Sequence, residues 1–338
     1  MKVNYFLIFI LFIGCADSRE IRLQKFLLKG NTALQGNYTD EAEKYFNEAL
    51  LIDPCYADAL NNLGTMRFDS KHYEEAVTLY TRAIDCRPGF LAPVFNRANT
   101  YLELKEYYGA EKDADYLVKQ KPDTAVAHFI RGLVKAKLHD FKTAKACFDQ
   151  AIQLDTTNVE YWVNRGTAHY YLHEYDQALS DMEQAKRVDP KEPNIYNTRA
   201  MVAIANNQFD LAMQEIERSL ALSPDQPFFL NNRGFIHLQQ GQVEEGLRDI
   251  NTSIVLDPNN GWAYRNKGVY YLITRQPDKA LSSFQQALSL DSFIDKIHFY
   301  LGTAYFQLGQ KQKACQEFRL SDEAGDKMTT AELSKACR

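Results

Sequence analysis

Residues 57–90 read ADALNNLGTMRFDSKHYEEAVTLYTRAIDCRPGF. Bulky apolar residues recur there at helical spacing, Leu60 and Leu63 in the first half, Tyr73 and Tyr80 in the second, so the segment reads as two amphipathic helices. Gly64 and Ala76 lie twelve residues apart and leave room for the two helices to approach closely. Pro88 stops the second helix, because its ring lacks an N–H and restricts the residue before it. The pattern continues in both directions: residues 23–328 divide into nine consecutive blocks of 34 without insertion or deletion. A fixed period of this length is the signature of a stacked repeat architecture.

Aligned on one another, the blocks show which positions are constrained. Position 8 is Gly30, Gly64, Ala98, Gly132, Gly166, Ala200, Gly234, Gly268 and Gly302, never larger than alanine. Position 20 is Ala42, Ala76, Ala110, Ala144, Ala178, Ala212, Gly246, Ala280 and Ala314. Position 32 is proline in six blocks, at Pro54, Pro88, Pro122, Pro190, Pro224 and Pro258, and Thr156, Ser292 or Asp326 in the others.

These residues, as in Leu60, Leu63, Gly64, Ala76, Tyr80, Ala83 and Pro88, or Trp162, Gly166, Ala178, Ala185 and Pro190, resemble the tetratricopeptide repeat (TPR) family over about nine tenths of the chain. The departures are Arg or Lys in place of Leu at position 7 of several blocks and the three absent prolines. The resemblance implies an all-α, right-handed superhelical solenoid of nine TPR helix pairs, the first helix of each pair lining a concave groove. Physical reasoning concurs: one helix pair cannot bury its apolar face alone, so stability comes from neighbours and the last face needs a polar cap. Residues 329–338 supply a capping helix in this reading. Thr330 caps its start, Leu333 and Ala336 face inward, and Glu332, Lys335 and Arg338 face water.

Positions 7 and 23 covary. Arg97 goes with Asp113, Arg165 with Asp181, Arg199 with Glu215 and Arg233 with Asp249, whereas the second block has Leu63 with Leu79. The pairs are expected to touch across the hairpin. They read either as a structural ion-pair ladder, since buried charges demand partners, or as a charged binding stripe.

The first residues follow another logic. Lys2 precedes an apolar run from Tyr5 to Ile13, which is too short to span a bilayer and reads as a secretory signal over residues 1–14. Phe12-Ile13-Gly14-Cys15 resembles the lipobox of bacterial lipoproteins, with Phe12 where Leu is usual. That resemblance implies alkylation of Cys15 by diacylglycerol, residues 15–22 forming the lipidated N-terminus and a short linker. Two or three acyl chains, at about 0.8 kcal/mol per buried CH₂, anchor durably. Ala16 gives no strong inner-membrane retention signal, which favours an outer-membrane lipoprotein facing the periplasm. The alternative is an ordinary signal peptide with Cys15 incidental and a periplasmic or secreted product.

With 45% hydrophobic and 25% charged residues the chain can build an extended core. A net charge of −5 without a basic cluster argues against nucleic acid as a partner. Five cysteines remain beside Cys15. Cys315, on the last second helix, and Cys337, on the cap, form a candidate disulfide, with two free thiols as the alternative; Cys55 and Cys86, near equivalent turns, pair less compellingly. The chain has no phosphate-binding Gly-rich loop, Gly-x-Ser-x-Gly, His-Glu-x-x-His or Cys-x-x-Cys motif, and the repeats use all of it, so no enzyme, cofactor or small-molecule substrate is expected. His169 and His173 have the i, i+4 spacing of a metal pair, but His169 falls at a position other blocks fill with Ala33, Tyr101 or Tyr305 and is read as packing, not metal ligation. The sequons at Asn37 and Asn251 are read as chance.

Function is therefore expected in the groove, lined by positions 2, 5, 6, 9, 12 and 13. Asn62, Asn96, Asn164, Asn232 and Asn266, all at position 6, form a candidate ladder for the backbone of an extended peptide. Phe95, Phe129, Tyr170, Phe235, Trp262 and Phe299 offer apolar anchors. The alternative has the asparagines bonding locally and some of the aromatics simply packing. Basic residues suited to clamping a terminal carboxylate are sparse, Arg265 and Lys296 being the nearest. The expected function is a non-catalytic, lipid-anchored scaffold for a protein or peptide partner. The alternative is a structural subunit of a fixed envelope or secretion assembly that uses its edges and convex surface.

Overall fold

The computed structural model describes residues 6–325 and Cys337, with side chains from residue 19 onward. The side chain of Cys15 and, apart from Cys337, the expected cap lie outside the described residues. Among those residues the chain forms eighteen α-helices and no strand. A first compact unit, Met1–Thr156, contains four hairpins. They are α1 (Phe6–Gln35) with α2 (Thr39–Ile52), α3 (Ala57–Asp69) with α4 (Tyr73–Cys86), α5 (Leu91–Glu103) with α6 (Tyr107–Gln120), and α7 (Ala125–Lys137) with α8 (Phe141–Leu154). The second unit, Thr157–Arg338, contains five. They are α9 (Val159–Tyr171) with α10 (Tyr175–Val188), α11 (Pro193–Ala205) with α12 (Phe209–Leu222), α13 (Pro227–Gln239) with α14 (Val243–Leu256), α15 (Gly261–Ile273) with α16 (Pro277–Leu290), and α17 (Ile297–Gln307) with α18 (Lys311–Glu323). Each block is thus two helices, and the architecture is the all-α solenoid of stacked hairpins that the periodicity predicts. One boundary differs. α1 runs unbroken through residues 16–22, so the expected linker is helical, and Arg19 reaches the Asp53 carboxylate at 3.3 Å.

The small residue at position 8 answers the size of position 24 on the facing helix. A Cβ on Gly64 would stand 2.6 Å from Cε1 of the buried Tyr80, and Gly30, Gly132, Gly268 and Gly302 are pressed in the same way by Phe46, Phe148, Phe284 and Phe318. Where position 8 carries a methyl group, at Ala98 and Ala200, position 24 is Ala114 and Ile216, with no aromatic ring. Every aromatic ring at position 24 thus meets a glycine at position 8, whereas isoleucine there meets Ala200 in one hairpin and Gly234 in another.

Turn chemistry fixes the hairpins. Position 15 is left-handed in all nine blocks, with φ from 57° at Asn207 and Arg275 to 78° at Gly241. The bonds that flank it are those of a helix C-terminal motif: Lys71 N–H donates to Phe68 O at 2.9 Å and His72 N–H to Arg67 O at 2.8 Å. Lys71, Lys105, His139, His173 and Arg275 tolerate this conformation because the closed bonds hold it. At the far end, the position-31 aspartate shares the stop with proline. Asp53, Asp189, Asp257 and Asp291 accept from the N–H of Cys55, Lys191, Asn259 and Phe293 at 2.8–3.0 Å, so the eighth block ends its second helix with Ser292 in the proline's place.

The position 7 and 23 pairs are internal. Arg97 grips Asp113 through two bonds of 2.8 Å, Arg165 grips Asp181 at 2.6 and 2.9 Å, and Arg233 grips Asp249 at 2.6 and 2.8 Å. Arg199 reaches Glu215 at 3.2 Å and also Glu183 of the preceding block. Asp113, Asp181 and Glu215 are buried, which decides for the structural ladder over a binding stripe. In the fourth block Arg131 faces Cys147 at position 23 and turns instead to Asp115 of its neighbour, at 2.9 Å. Disulfides join Cys55 to Cys86, with Cα atoms 5.3 Å apart, and Cys315 to Cys337, 5.0 Å apart. Cys147 is a buried free thiol, pushed up in pKa by burial.

Candidate peptide groove

The first helices carry the expected lining, and their asparagines are wired to one another. Position 6 of one repeat donates its amide to an asparagine of the repeat before: Asn62 to Asn31 at 2.8 Å, Asn96 to Asn61 at 3.0 Å, Asn232 to Asn197 at 2.8 Å and Asn266 to Asn231 at 2.8 Å. Asn164 instead donates to the Glu160 carbonyl at 2.9 Å. Each of these bonds takes up one of the two amide N–H groups that a peptide backbone could use. The sequence reading did not single out the partners Asn31, Asn61, Asn197 and Asn231, although the doublets Asn61-Asn62 and Asn231-Asn232 mark them.

The anchors divide. In the first unit Phe129 is buried against Phe148, with ring centroids 5.8 Å apart, and Phe95 is half-buried against Ala98, Ala110 and Ile130. Phe129 is a core residue here, not open lining. In the second unit Phe235 and Trp262 meet around Arg265, whose guanidinium carbon lies 5.3 Å and 4.9 Å from their ring centroids and 5.7 Å from that of Tyr300. Phe299 packs beside Tyr300 and Phe318 at 5.5 and 6.0 Å.

Arg265 is 7% exposed and, among the described residues, has no carboxylate within ion-pair distance. Asn266 Oδ1 accepts its Nε at 3.0 Å and Nη2 at 2.7 Å, and the Asp295 carbonyl accepts Nη1 at 3.3 Å. The aromatic faces supply the rest of its stabilisation. Tyr170 and Tyr171, rings 5.3 Å apart, lie within electrostatic reach of Arg265 and Asp295. Burial raises both phenols, Tyr171 to about 12, so they act as neutral hydroxyls.

The two histidines do not converge. His169 Nδ1 meets Glu174 at 2.5 Å and His173 Nδ1 meets the Tyr175 hydroxyl at 3.0 Å. Among the described residues no cluster of three His, Cys, Asp or Glu side chains could hold a metal ion. The chemistry the groove offers is amide hydrogen bonding, aromatic surface and one buried cation.

Models of the tetratricopeptide repeat match residues 27–89, 125–158, 159–192 and 195–327. The chain belongs to the tetratricopeptide repeat family. It is 30% identical over 122 residues to RNA polymerase II-associated protein 3 of Xenopus tropicalis, across 36% of this chain and 19% of that protein. It is 31% identical over 120 residues to Hsc70-interacting protein 1 of Drosophila melanogaster, across 36% of this TPR chain and 30% of that one. The chain thus spans less than a third of either relative. Among solved structures, that of the APC/C hetero-tetramer Cut9-Hcn1 superposes with a TM-score of 0.63 over 88% of this chain and 58% of that one at 18% identity, a likeness of fold. TPR membership makes the chain a scaffold for protein interaction.

Proposed function

We propose that the protein is a non-catalytic scaffold, lipid-anchored at Cys15 in a bacterial envelope, that holds an extended segment of a protein partner in the groove of its second unit. The observation that carries this reading is the group around Arg265, where Phe235, Trp262 and Tyr300 stay half-buried while the asparagines beneath are already satisfied. Half-covered aromatics beside a buried cation are what a partner's side chains can bury. Hsc70-interacting protein, a relative over a third of the chain, is by its name a protein that engages another. Support for the anchor comes from the Ile13-Gly14-Cys15 segment. No described helix is long and apolar enough to cross a membrane.

The test is photocrosslinking in intact cells from residue 262, with mass spectrometry of the adduct. Recovery of a discrete partner that Trp262→Ala and Phe235→Ala variants lose, at unchanged helicity and melting, supports the groove. Equal recovery with both variants refutes it. A second reading, a subunit of a fixed assembly, draws on Leu51, Tyr108 and Val255, which are exposed on the second helices of their hairpins. Photocrosslinking from residues 108 and 255 in the same cells tests that reading directly.

A further inference from the structure

The first hairpin exposes the face that later hairpins bury. At positions 3 and 10 the first helices are buried: Ala59 and Met66 in α3, Ile195 and Val202 in α11, Ile297 and Ala304 in α17. The corresponding residues of α1 are Lys25 and Thr32, both exposed. On the same face stand Leu28, 67% exposed, and Ile21, 63% exposed, two helical turns apart. No described element covers them. Arg22 and Lys29 flank this apolar pair, and with Lys25 they form no ion pair among the described residues; Lys29 rests over the Tyr45 ring at 5.2 Å. From residue 16 onward α1 carries Arg19, Arg22, Lys25 and Lys29 against Asp17 and Glu20, a basic excess in a chain of net charge −5.

We propose that this face of α1 docks on an anionic lipid surface, with Ile21 and Leu28 entering the headgroup boundary and Arg22, Lys25 and Lys29 meeting lipid phosphates. An apolar pair rimmed by cations fits an anionic bilayer surface. A second copy fits poorly, because two-fold pairing through this face would set basic residues against basic residues. The geometry rests on the Cys15 anchor proposed above. α1 is one helix from Phe6 to Gln35, so a rise of about 1.5 Å per residue places Ile21 about 9 Å and Leu28 about 20 Å from Cys15. An acylated Cys15 therefore keeps both residues within about 20 Å of the membrane surface.

The full chain, with p-benzoylphenylalanine replacing Leu28, is incorporated into vesicles of phosphatidylcholine alone or with one third phosphatidylglycerol and irradiated. Lipid adducts are expected at residue 28 on the anionic vesicles and not from the same probe replacing Tyr108. Each basic residue near an anionic surface contributes about fivefold, so the variant combining Arg22→Glu, Lys25→Glu and Lys29→Glu should lower the adduct yield at least about tenfold. These positions are exposed, and an unchanged melting curve confirms the fold. Absence of lipid adducts at 28, equal yield on neutral vesicles, or adducts to a protein would each overturn the docking. Mass measurement of the N-terminal peptide in the same samples reads the anchor separately. Adducts without acylation remove the anchor and keep the docking, and acylation without adducts does the reverse.

Discussion

Gly64→Ala sets two effects against each other. An alanine in the middle of α3 gains about 1 kcal/mol of helix propensity over glycine. The added Cβ, however, would stand 2.6, 2.8 and 3.1 Å from three ring atoms of Tyr80. That ring has nowhere to go: Tyr80 is 1% exposed, and its hydroxyl bonds to Thr65 at 3.2 Å. Overpacking of this kind costs about 1–3 kcal/mol, so the net expectation is a loss of up to about 2 kcal/mol. Tyr80→Ala alone should cost about 3–5 kcal/mol, as other aromatic-to-alanine changes in cores do. In that background the clash is gone and Gly64→Ala should turn stabilising by about 1 kcal/mol. The double variant reproduces the Ala98 and Ala114 combination with which the third block already folds. Urea denaturation followed by circular dichroism, with the disulfides kept oxidised, measures the cycle. Amide exchange in α3 and α4 localises it, because repeat arrays need not unfold in one step. A Gly64→Ala protein more stable than the parent, or a coupling below about 0.5 kcal/mol, would refute the size complementarity of positions 8 and 24.

Arg165→Ala leaves the Asp181 side chain, 5% exposed, without its bidentate partner, and should cost about 3–5 kcal/mol in the same assay. Arg165→Leu with Asp181→Leu, the solution of the second block, should be near neutral or stabilising. Burial holds the Tyr80 phenol at about 12. In the unfolded chain it titrates near about 10, so the folded state keeps a proton the unfolded state loses, and the contribution present below about pH 10 declines, by up to about 3 kcal/mol, on approach to pH 12. Ultraviolet titration of tyrosinate should show Tyr80 ionising only as the helices melt, and early ionisation in the folded protein would contradict this. Cys55→Ser and Cys315→Ser should each lower stability by about 3–4 kcal/mol, as loops of 31 and 22 residues imply, with both bridges appearing in non-reducing peptide mapping.

Fold and hairpin wiring were legible for one reason: the sequence contains nine answers to one packing problem. Comparing blocks reveals that Arg97, Arg165, Arg199 and Arg233 need Asp113, Asp181, Glu215 and Asp249, a relation a single repeat cannot show. The link from Gly64 to Tyr80 was equally present in the columns, since every block with an aromatic ring at position 24 carries glycine at position 8. Other features were less accessible. Asp291 helps end a helix by accepting from the Phe293 N–H, a role that recurrence of aspartate at position 31 marks but whose bond only the structure shows. Phe95 and Phe129 occupy the same position of adjacent blocks, yet one is half-buried and the other buried, because burial depends on the neighbouring repeat. Residues 16–22, which the repeat period leaves outside the blocks, continue α1, and their apolar Ile21 remains uncovered.

The asparagine wiring changes what the groove can read. A ladder for peptide backbone needs amides with free donors and acceptors facing the ligand. Asn266 has neither to spare, its Nδ2 given to Asn231 and its Oδ1 taken twice by Arg265. Asn62 and Asn232 have each given one of two amide N–H groups to the preceding repeat. The position-6 asparagines therefore register one repeat on the next, and their cost on removal is an unpaired buried amide in the neighbour. In the proposed function discrimination then falls to the half-buried rings of Phe235 and Trp262, which leave surface for a partner around the buried Arg265. If the groove binds as proposed, it reads the side chains of its ligand more than the main chain, and the composition and spacing of aromatic and other apolar residues in the partner decide binding in this part of the solenoid.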